Sequence, residues 1–270
     1  MNLLAQANIV VIKIGASFIM DSKKSMVNHV WVDSLVDDVI ELIRLGKRPV
    51  IVSSGTVAFG AYNLGLNCLK LKIQEKQIAS IVGQHEMIEV YKNSFKRHNI
   101  KIAQGLVTVE DIEVRKRFLT MKTTLEFLLN NSVVPIINTN DLLTSSEIRF
   151  GDNDRLSARI AQVVNADLLV MFSLVDGLYA KDPLLYPNSN FINEVRGITQ
   201  DIENMAQDSR ARTGGMSAKI TAAKIALNNK CNVIFTNGRY NNPIKRIVDG
   251  ERCTSFIVDD KSSTQKYKIG

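Results

Sequence analysis

The sequence predicts an α/β fold with a mainly parallel central sheet between helical layers. Short, β-branched apolar runs alternate with amphipathic helical patterns along most of the 270 residues, and glycine or polar residues directly follow several of these runs. Strands buried on both faces of a sheet have continuous apolar sequences, and repeated strand–helix alternation is typical of parallel sheets.

The first three predicted elements are a strand, a helix and a strand. Residues 8–14 are largely apolar, with Lys13 as the main interruption, and residues 49–53 form a second apolar run. The helix between them ends at Gly46, and its apolar face consists of Val32, Leu35, Val36, Val39, Leu42 and Ile43. These elements form a βαβ unit, whose crossover we expect to be right-handed.

The same alternation continues along the chain. Further helices are predicted at 74–98 and 115–130, and further strands at 100–107, 133–138, 168–172 and 232–236. No Pro-, Gly- or Ser-rich linker and no sequence repeat interrupts this pattern. We therefore expect one domain with two lobes.

Composition and charge narrow the class of protein. Hydrophobic residues make up 45% and charged residues 23% of the chain, and no apolar run approaches the ~18 residues of a membrane-spanning helix. The first residues lack the features of a signal peptide, so a cytoplasmic enzyme is expected. The net charge of +7 is spread along the chain without long like-charged runs, which favours an anionic small substrate over nucleic acid. The three cysteines and three histidines lack the spacing of a zinc site.

Glycine and polar residues cluster just after the predicted strands. The segments concerned are 13–15, 53–55, 138–141, 173–177 and 236–238. Ligands of open α/β sheets bind beyond the carboxyl ends of the strands, so these segments together predict a binding site, although turn chemistry explains each one alone. The chain has neither a P-loop nor a GxGxxG motif, so any phosphate site must be organised differently.

The strongest candidate for phosphate binding is TGGMSAK at 213–219. Consecutive glycines let backbone N–H groups approach an anion, and the following helix N-terminus and Lys219 add positive charge. The alternative is an ordinary capped helix, but a lysine in the first turn opposes the helix dipole. Lys13 is the second candidate cation: it lies either at an exposed strand end or beside an anion.

A second polar motif is GDND at 151–154, which precedes another amphipathic helix. One Asp or Asn suffices to cap a helix, so the additional polar side chains predict a role in binding. We expect an amide that holds a substrate and a carboxylate that holds lysines.

These motifs resemble the amino acid kinase superfamily. In chain order they are KIGAS at 13–17, SSGTVAFG at 53–60, VGQ at 82–84, FGDND at 150–154, GLYAKDP at 177–183 and TGGMSAK at 213–219. The resemblance covers about residues 8–258 and is most specific in GDND and TGGMSAK. Within the superfamily the chain looks most like the branch that phosphorylates the γ-carboxylate of L-glutamate with ATP at the start of proline biosynthesis, in a form without the C-terminal RNA-binding-like domain.

The resemblance implies a three-layer αβα sandwich. Residues 1–270 would be a single amino acid kinase domain, with an amino-acid-binding lobe at about 8–165 and a nucleotide-binding lobe at about 166–258. The implied partners are L-glutamate and ATP, with Mg²⁺ on the ATP phosphates and no metal site made by the protein. A homo-oligomer and a functional link to a glutamyl phosphate reductase are also expected, whereas nucleic acid and membranes are not.

The resemblance also implies roles for individual residues. Lys13 and Lys219 would contact the phosphates, and Asp154 would hold both lysines as the third catalytic residue. The residues expected to bind glutamate are Ser54, Gly55, Asp141 and Asn153. Those expected to border ATP are Lys13, Ser173, Leu174, Thr213, Gly214, Gly215, Met216, Ser217, Ala218 and Lys219. Because a glutamate side chain with a pKa of about 4.3 is already ionised, positioning and charge neutralisation should suffice without a general base.

Three positions depart from the superfamily pattern. Thr139 stands where glutamate is usual, Leu174 where aspartate is usual, and Thr56 where alanine is common. Two other functions therefore stay open: a related kinase for another carboxylate, carbamate or phosphate acceptor, and an inactive amino-acid-binding regulatory protein. The intact set of Lys13, Asp154 and Lys219 argues against the second.

Overall fold

The computed structural model describes residues 3–21, 26–143, 153–207, 215–258 and 267–269. The helices of these ranges are α1 (Leu3–Gln6), α2 (Ala16–Ile19), α3 (His29–Arg44), α4 (Thr56–Asn63), α5 (Ile73–Lys96), α6 (Val109–Glu113), α7 (Arg115–Asn130), α8 (Asn153–Val163), α9 (Gln200–Gln207), α10 (Met216–Asn228) and α11 (Pro243–Val248). The strands are β1 (Ile9–Ile14), β2 (Met20–Asp21), β3 (Met26–Val27), β4 (Arg48–Ser53), β5 (Lys101–Val107), β6 (Val133–Thr139), β7 (Leu168–Ser173), β8 (Leu178–Tyr179), β9 (Phe191–Arg196), β10 (Asn232–Asn237), β11 (Cys253–Ile257) and β12 (Tyr267–Ile269).

The chain divides into two compact units. The middle unit is Ile14–Asn153, and the split unit combines Met1–Lys13 with Asp154–Gly270. Strand β1 therefore contributes most of its residues to the split unit, although it comes first in the sequence.

The middle unit contains the parallel strands β4, β6 and β5, in that spatial order. Helix α3 precedes β4 and is capped by Asn28, whose side-chain oxygen accepts a hydrogen bond from the Trp31 N–H at 3.3 Å. Its predicted apolar face is buried except for Ile43, which is partly buried, and Val32 and Leu35 are fully inaccessible to solvent. Burial of this stripe against the unit's core explains why the amphipathic sequence forms a helix here.

Helices α4 and α5 pack unusually closely in the middle unit. A Cβ atom at Gly60 would lie 1.7 Å from the Ala79 carbonyl oxygen, and one at Gly83 would lie 2.0 Å from the Thr56 carbonyl oxygen. Only glycine permits such an approach. This packing brings Thr56 at the start of α4 beside Ser80 on α5, with 2.7 Å between their hydroxyl oxygens.

The split unit contains a second run of parallel strands. Strand β7 pairs in parallel with β1 on one side and with β10 on the other. Strands β11, β9, β12 and β8 extend the sheet beyond β10, and several of their pairings are antiparallel. Asp167 fixes the N-terminal end of β1: its carboxylate accepts hydrogen bonds from the N–H groups of Asn8 and Ile9 at 2.8 and 2.9 Å.

The predicted α/β class with a large, mostly parallel central sheet is confirmed. Helix α7 has the predicted bounds, and the predicted strands recur as β1, β4, β5, β6, β7 and β10 to within two residues. Strands β8, β9, β11 and β12 were not predicted, because they are short and some carry polar residues that break the apolar run. Within the described residues, no helix is long and apolar enough to cross a membrane.

Candidate functional site

Three predicted residues of the split unit lie together. Lys13 is near the end of β1, Asp154 is in the first turn of α8, and Lys219 is in the first turn of α10. Lys219 Nζ lies 3.2 Å from both carboxylate oxygens of Asp154, and Lys13 Nζ forms a closer ion pair with Oδ1. The alternative of a solvent-exposed Lys13 at a strand end is thereby excluded, because the residue is only 6% exposed.

Burial makes the electrostatics of this cluster unusual. Two lysines share one carboxylate, and all three side chains are at least nine-tenths buried. Burial alone would raise the pKa of Asp154, but Lys219 and Lys13 together hold it below its usual value. Burial and the neighbouring charge of Lys13 lower the pKa of Lys219 to about 8. With both lysines protonated, the cluster has one positive charge in excess and is suited to an anionic ligand.

The TGGMSAK loop is only partly described. Thr213 and Gly214 lie outside the described residues, whereas Gly215 immediately precedes α10 in extended conformation. The N–H groups of Ala218 and Lys219 bond to the Gly215 carbonyl oxygen, and no side chain of Gly215 can cap the helix. Met216, Ser217 and Ala218 therefore form the first turn of α10, ahead of Lys219.

Strand β7 ends at Ser173, the first of the two residues expected near ATP. Ser173 is partly buried, and Leu174 is 47% exposed. Asp176 follows closely and is held on both oxygens: Asn237 donates to Oδ1 at 2.9 Å and Tyr179 donates to Oδ2 at 3.1 Å. A carboxylate is thus present three residues beyond Ser173, although position 174 has none.

The middle unit brings together the residues expected to bind the acceptor. Asn153 is 2% exposed, and its Nδ2 atom lies 2.9 Å from the Ser53 carbonyl oxygen, 2.8 Å from Ser54 Oγ and 2.8 Å from Asn138 Oδ1. An amide nitrogen has two hydrogens, so three acceptors in reach are one more than it can satisfy. Ser54, which is only partly buried, is the partner best placed to be replaced by a ligand.

Gly55 is another of the residues expected to bind glutamate. Its backbone φ of +126° is a value that residues with a side chain rarely adopt. This conformation lets the chain turn from β4 directly into α4. The same turn holds the Ser54 N–H on the Ile14 carbonyl oxygen at 3.0 Å.

Asp141 carries an unsatisfied buried atom. It is 7% exposed, and Ser80 donates a short hydrogen bond to Oδ2, whereas no donor among the described residues reaches Oδ1. Burial raises the pKa of this carboxyl, and the bond from Ser80 opposes that effect. A buried carboxylate oxygen without a donor is costly, so a cationic group of a ligand would stabilise it.

Some residues of this arrangement were not predicted. Ser80 lies in the middle of α5 and gave no sequence signal, because a serine in a helix is usually unremarkable. Among the described residues, no three His, Cys, Asp or Glu side chains are grouped so as to hold a metal ion.

The sequence is similar to proteins that are named as kinases. Residues 8–237 match the amino acid kinase family. A glutamate 5-kinase of Paramagnetospirillum magneticum is 42% identical over 268 residues, which are 98% of this chain and 72% of that protein. A glutamate 5-kinase of Pelagibacter ubique is 42% identical over 256 residues, which are 94% of this chain and 69% of that protein.

Solved structures share the fold at low sequence identity. Carbamate kinase from Giardia lamblia bound to AMP-PNP superposes with a TM-score of 0.64 at 16% identity, over 94% of this chain and all of that one. UMP kinase from Bacillus anthracis gives 0.62 at 15% identity, over 98% and 99% of the two chains. The sequence match extends over most of the chain and the fold agrees with it, so the protein belongs to the amino acid kinase family.

Proposed function

We propose that this protein transfers the γ-phosphoryl group of ATP to the γ-carboxylate of L-glutamate. The glutamate 5-kinases that it resembles carry this activity in their name. One carboxylate oxygen attacks the γ-phosphorus, the bond from that phosphorus to the β–γ bridging oxygen breaks, and ADP leaves with the electron pair. The product is γ-glutamyl phosphate. No proton moves, because the glutamate side chain is ionised at neutral pH.

In this proposal the split unit supplies the positive charge that binds the phosphates of ATP. Lys13 and Lys219 bind the oxygens of the transferring phosphoryl group, and Asp154 fixes both ammonium groups in one place. Their attraction for the phosphates grows as negative charge develops on the leaving ADP, which is how preorganised cations lower a barrier. ATP enters with its own Mg²⁺, and Gly215 with the first turn of α10 borders the phosphates. Thr213, Gly214, Ser173 and Leu174 remain in the proposal as residues beside the nucleotide.

The middle unit holds the acceptor in this proposal. The observation that carries the choice of an amino acid as acceptor is Oδ1 of buried Asp141, which no donor among the described residues reaches. The α-ammonium group of an amino acid supplies the missing donor and the opposite charge. Asn153 Nδ2 and Ser54 Oγ offer hydrogen-bond donors to carboxylate oxygens, and Gly55 remains in the proposal as a residue beside the acceptor.

This chemistry distinguishes the acceptor classes. A phosphate or carbamate acceptor is negatively charged and has no ammonium group, so it brings no opposite charge to Asp141 and would be repelled by it. An amino acid satisfies the same atom. The inactive regulatory alternative does not account for the buried, charged cluster of Lys13, Asp154 and Lys219, whose excess positive charge suits a phosphate.

The test is a panel of acceptors with Mg-ATP, in which hydroxylamine traps any acyl phosphate. L-glutamate should give the hydroxamate. N-acetyl-L-glutamate has the same side chain without the ammonium group, so its turnover should be at least about 100-fold lower, the scale of a lost buried ionic hydrogen bond. Carbamate and UMP, assayed by ADP release, should give none. Equal turnover of N-acetyl-L-glutamate, or turnover of UMP alone, would reject the proposal, and binding of glutamate without turnover would support the regulatory alternative.

We also propose a partner enzyme, a cellular compartment and an oligomeric state. Acyl phosphates hydrolyse readily in water, so a glutamyl phosphate reductase that consumes the product promptly is the expected functional partner. We place the reaction in the cytoplasm, and we propose a homo-oligomer, which size-exclusion chromatography with light scattering would test.

A further inference from the structure

We propose that Thr56 and Thr139 are positioning residues of the acceptor site, at two points of one directed hydrogen-bond relay that ends on Asp141. This inference rests on the proposed function, because the relay would prepare Asn153 and Asp141 for glutamate.

The relay consists of five hydrogen bonds within the middle unit. It begins with Thr139 Oγ1, which donates to Asn153 Oδ1 at 2.8 Å, and Asn153 Nδ2 lies 2.8 Å from Asn138 Oδ1. Asn138 Nδ2 lies 3.4 Å from Thr56 Oγ1, the longest step. Thr56 Oγ1 is 2.7 Å from Ser80 Oγ, which bonds to Asp141 Oδ2. Except for Thr139, every member is at least nine-tenths buried.

The direction of the relay follows from its last member. An ionised carboxylate only accepts hydrogen bonds, so the Ser80 hydroxyl must donate to Asp141. The Ser80 hydroxyl has only one hydrogen, which it donates to Asp141, so toward Thr56 its oxygen can only accept. The Thr56 hydrogen is therefore directed at Ser80, and its oxygen can only accept from the Asn138 amide.

The same logic fixes the orientation of both amides. Asn138 must turn its NH₂ group toward Thr56, so its oxygen faces Asn153 and receives a hydrogen from Asn153 Nδ2. If the Asn153 amide were rotated by 180°, two oxygens would face each other there. Thr139 opposes that rotation from the other side, because its hydroxyl donates to Asn153 Oδ1. A polar chain of this kind is most stable when every member is satisfied.

The relay has two consequences for the acceptor. It keeps Asn153 Nδ2 directed at Ser54, where it can donate to a carboxylate. It also occupies only Oδ2 of Asp141 and leaves Oδ1 for an ammonium group. The two groups that we assign to glutamate are thus linked through side chains that need not touch it.

Isosteric substitutions test this role. Thr56→Val and Thr139→Val each retain shape and remove one hydroxyl. Each should raise KM for glutamate about 10-fold, with KM for ATP unchanged within about 2-fold, because a buried partner is left unsatisfied only on the acceptor side. Thr56→Ser and Thr139→Ser restore the hydroxyl and should lie within about 3-fold of the wild type. A merely structural role would lower the melting temperature without this selective change in KM.

The double variant tests whether the two threonines act through one relay. Their side chains share no hydrogen bond, so independent contributions would multiply to an increase of about 100-fold in KM for glutamate. A single relay that is broken at either point predicts an increase close to about 10-fold. Full multiplication would overturn the inference.

A readout without substrate separates this inference from the proposed function. In ¹⁵N NMR spectra of the ligand-free protein, Thr56→Val should shift the side-chain amide signals of Asn153, which the relay joins to Thr56 only through Asn138. Thr123→Val is the matched control, because Thr123 is exposed on α7 and its hydroxyl bonds only locally to the Leu119 carbonyl oxygen. Unchanged Asn153 signals in Thr56→Val would overturn the relay whatever the substrate is. Loss of the proposed function would instead appear as a wild type that makes no hydroxamate.

Discussion

At the scale of single residues, the pairing of two buried lysines with one buried carboxylate is the most informative feature of the molecule. An apolar interior rarely holds three charges unless they have a task, because each loses its hydration on burial. In the cluster of Lys13, Asp154 and Lys219, one carboxylate faces two ammonium groups, so stability alone does not explain the second buried positive charge. Its excess positive charge is understandable if an anion binds there.

Lys219→Ala should reduce kcat by at least about 100-fold, the usual scale for losing one preorganised charged contact to a transition state. Lys224 is the matched control: it lies on the same helix but is exposed and pairs with Glu203 at 2.8 Å. Steady-state rates of Lys224→Ala should stay near the wild type. Near-normal turnover in Lys219→Ala would remove this lysine from the mechanism.

The pH dependence of the reaction should report Lys219. Because its pKa is lowered to about 8, the ammonium group loses its proton as pH rises through that value, and the charge that binds phosphate is lost. We expect kcat/KM to be level below pH ~7.5 and to fall above pH ~8. Arginine stays protonated in this range, so Lys219→Arg should lose this decline even if it is slower overall. An identical decline in both proteins would assign it to another group.

Asp154→Asn should destabilise the protein strongly, because it leaves two buried lysines without a counter-charge. A loss of about 3–5 kcal/mol in the free energy of unfolding is expected from urea titrations at pH 7, against less than about 1 kcal/mol for Glu203→Gln at an exposed pair. The folded-state pKa of Asp154 lies below its ordinary 3.8. Its contribution is therefore complete well above pH 3.8 and should disappear as pH falls through the folded value. Equal losses in the two variants would contradict this account.

At the scale of elements, the contact between α4 and α5 determines where Thr56 and Ser80 meet. Two glycines create it, since a side chain at Gly60 or Gly83 would collide with backbone of the facing helix. The sequence marked Gly60 and Gly83 only as parts of motifs. Their physical role appears once the helices are packed.

Gly60→Ala should lower the free energy of unfolding by at least about 1–3 kcal/mol, because overpacking forces the helices apart. Gly15→Ala is a suitable control, since a Cβ there meets nothing closer than 3.5 Å. Urea denaturation of both variants measures the difference. If Gly60→Ala were as stable as the control, the close packing of α4 and α5 would be in doubt.

At the scale of the whole molecule, we propose that each unit binds one substrate, and ligand-induced stabilisation tests this separation. A ligand at 100 times its Kd stabilises a protein by about 2.7 kcal/mol. Ser54→Ala should reduce the stabilisation by L-glutamate and keep that by the ATP analogue AMP-PNP, whereas Lys219→Ala should do the reverse. Thermal unfolding with each ligand gives the answer. A variant that loses both effects would contradict the division of roles.

The elements of this fold were largely predictable from local sequence. Buried parallel strands such as β7 are continuous apolar runs, and α7 is bounded as its periodicity predicts, so neither needs tertiary information. Strands β9 and β11 escaped prediction because their sequences mix polar and apolar residues and so form no continuous apolar run.

The candidate site was also predictable only in part from the sequence. The sequence by itself determined the family and the α/β class. It also marked Lys13, Asp154 and Lys219 as candidates, because motifs and strand ends are local features. Only the tertiary structure decided that Asp154 pairs with both lysines, that Ser80 donates to Asp141 Oδ2, and that no donor among the described residues reaches Asp141 Oδ1. Burial and hydrogen bonding depend on residues far apart in the chain, such as Ser80 on α5 and Asp141 just after β6, which become neighbours only when the chain folds.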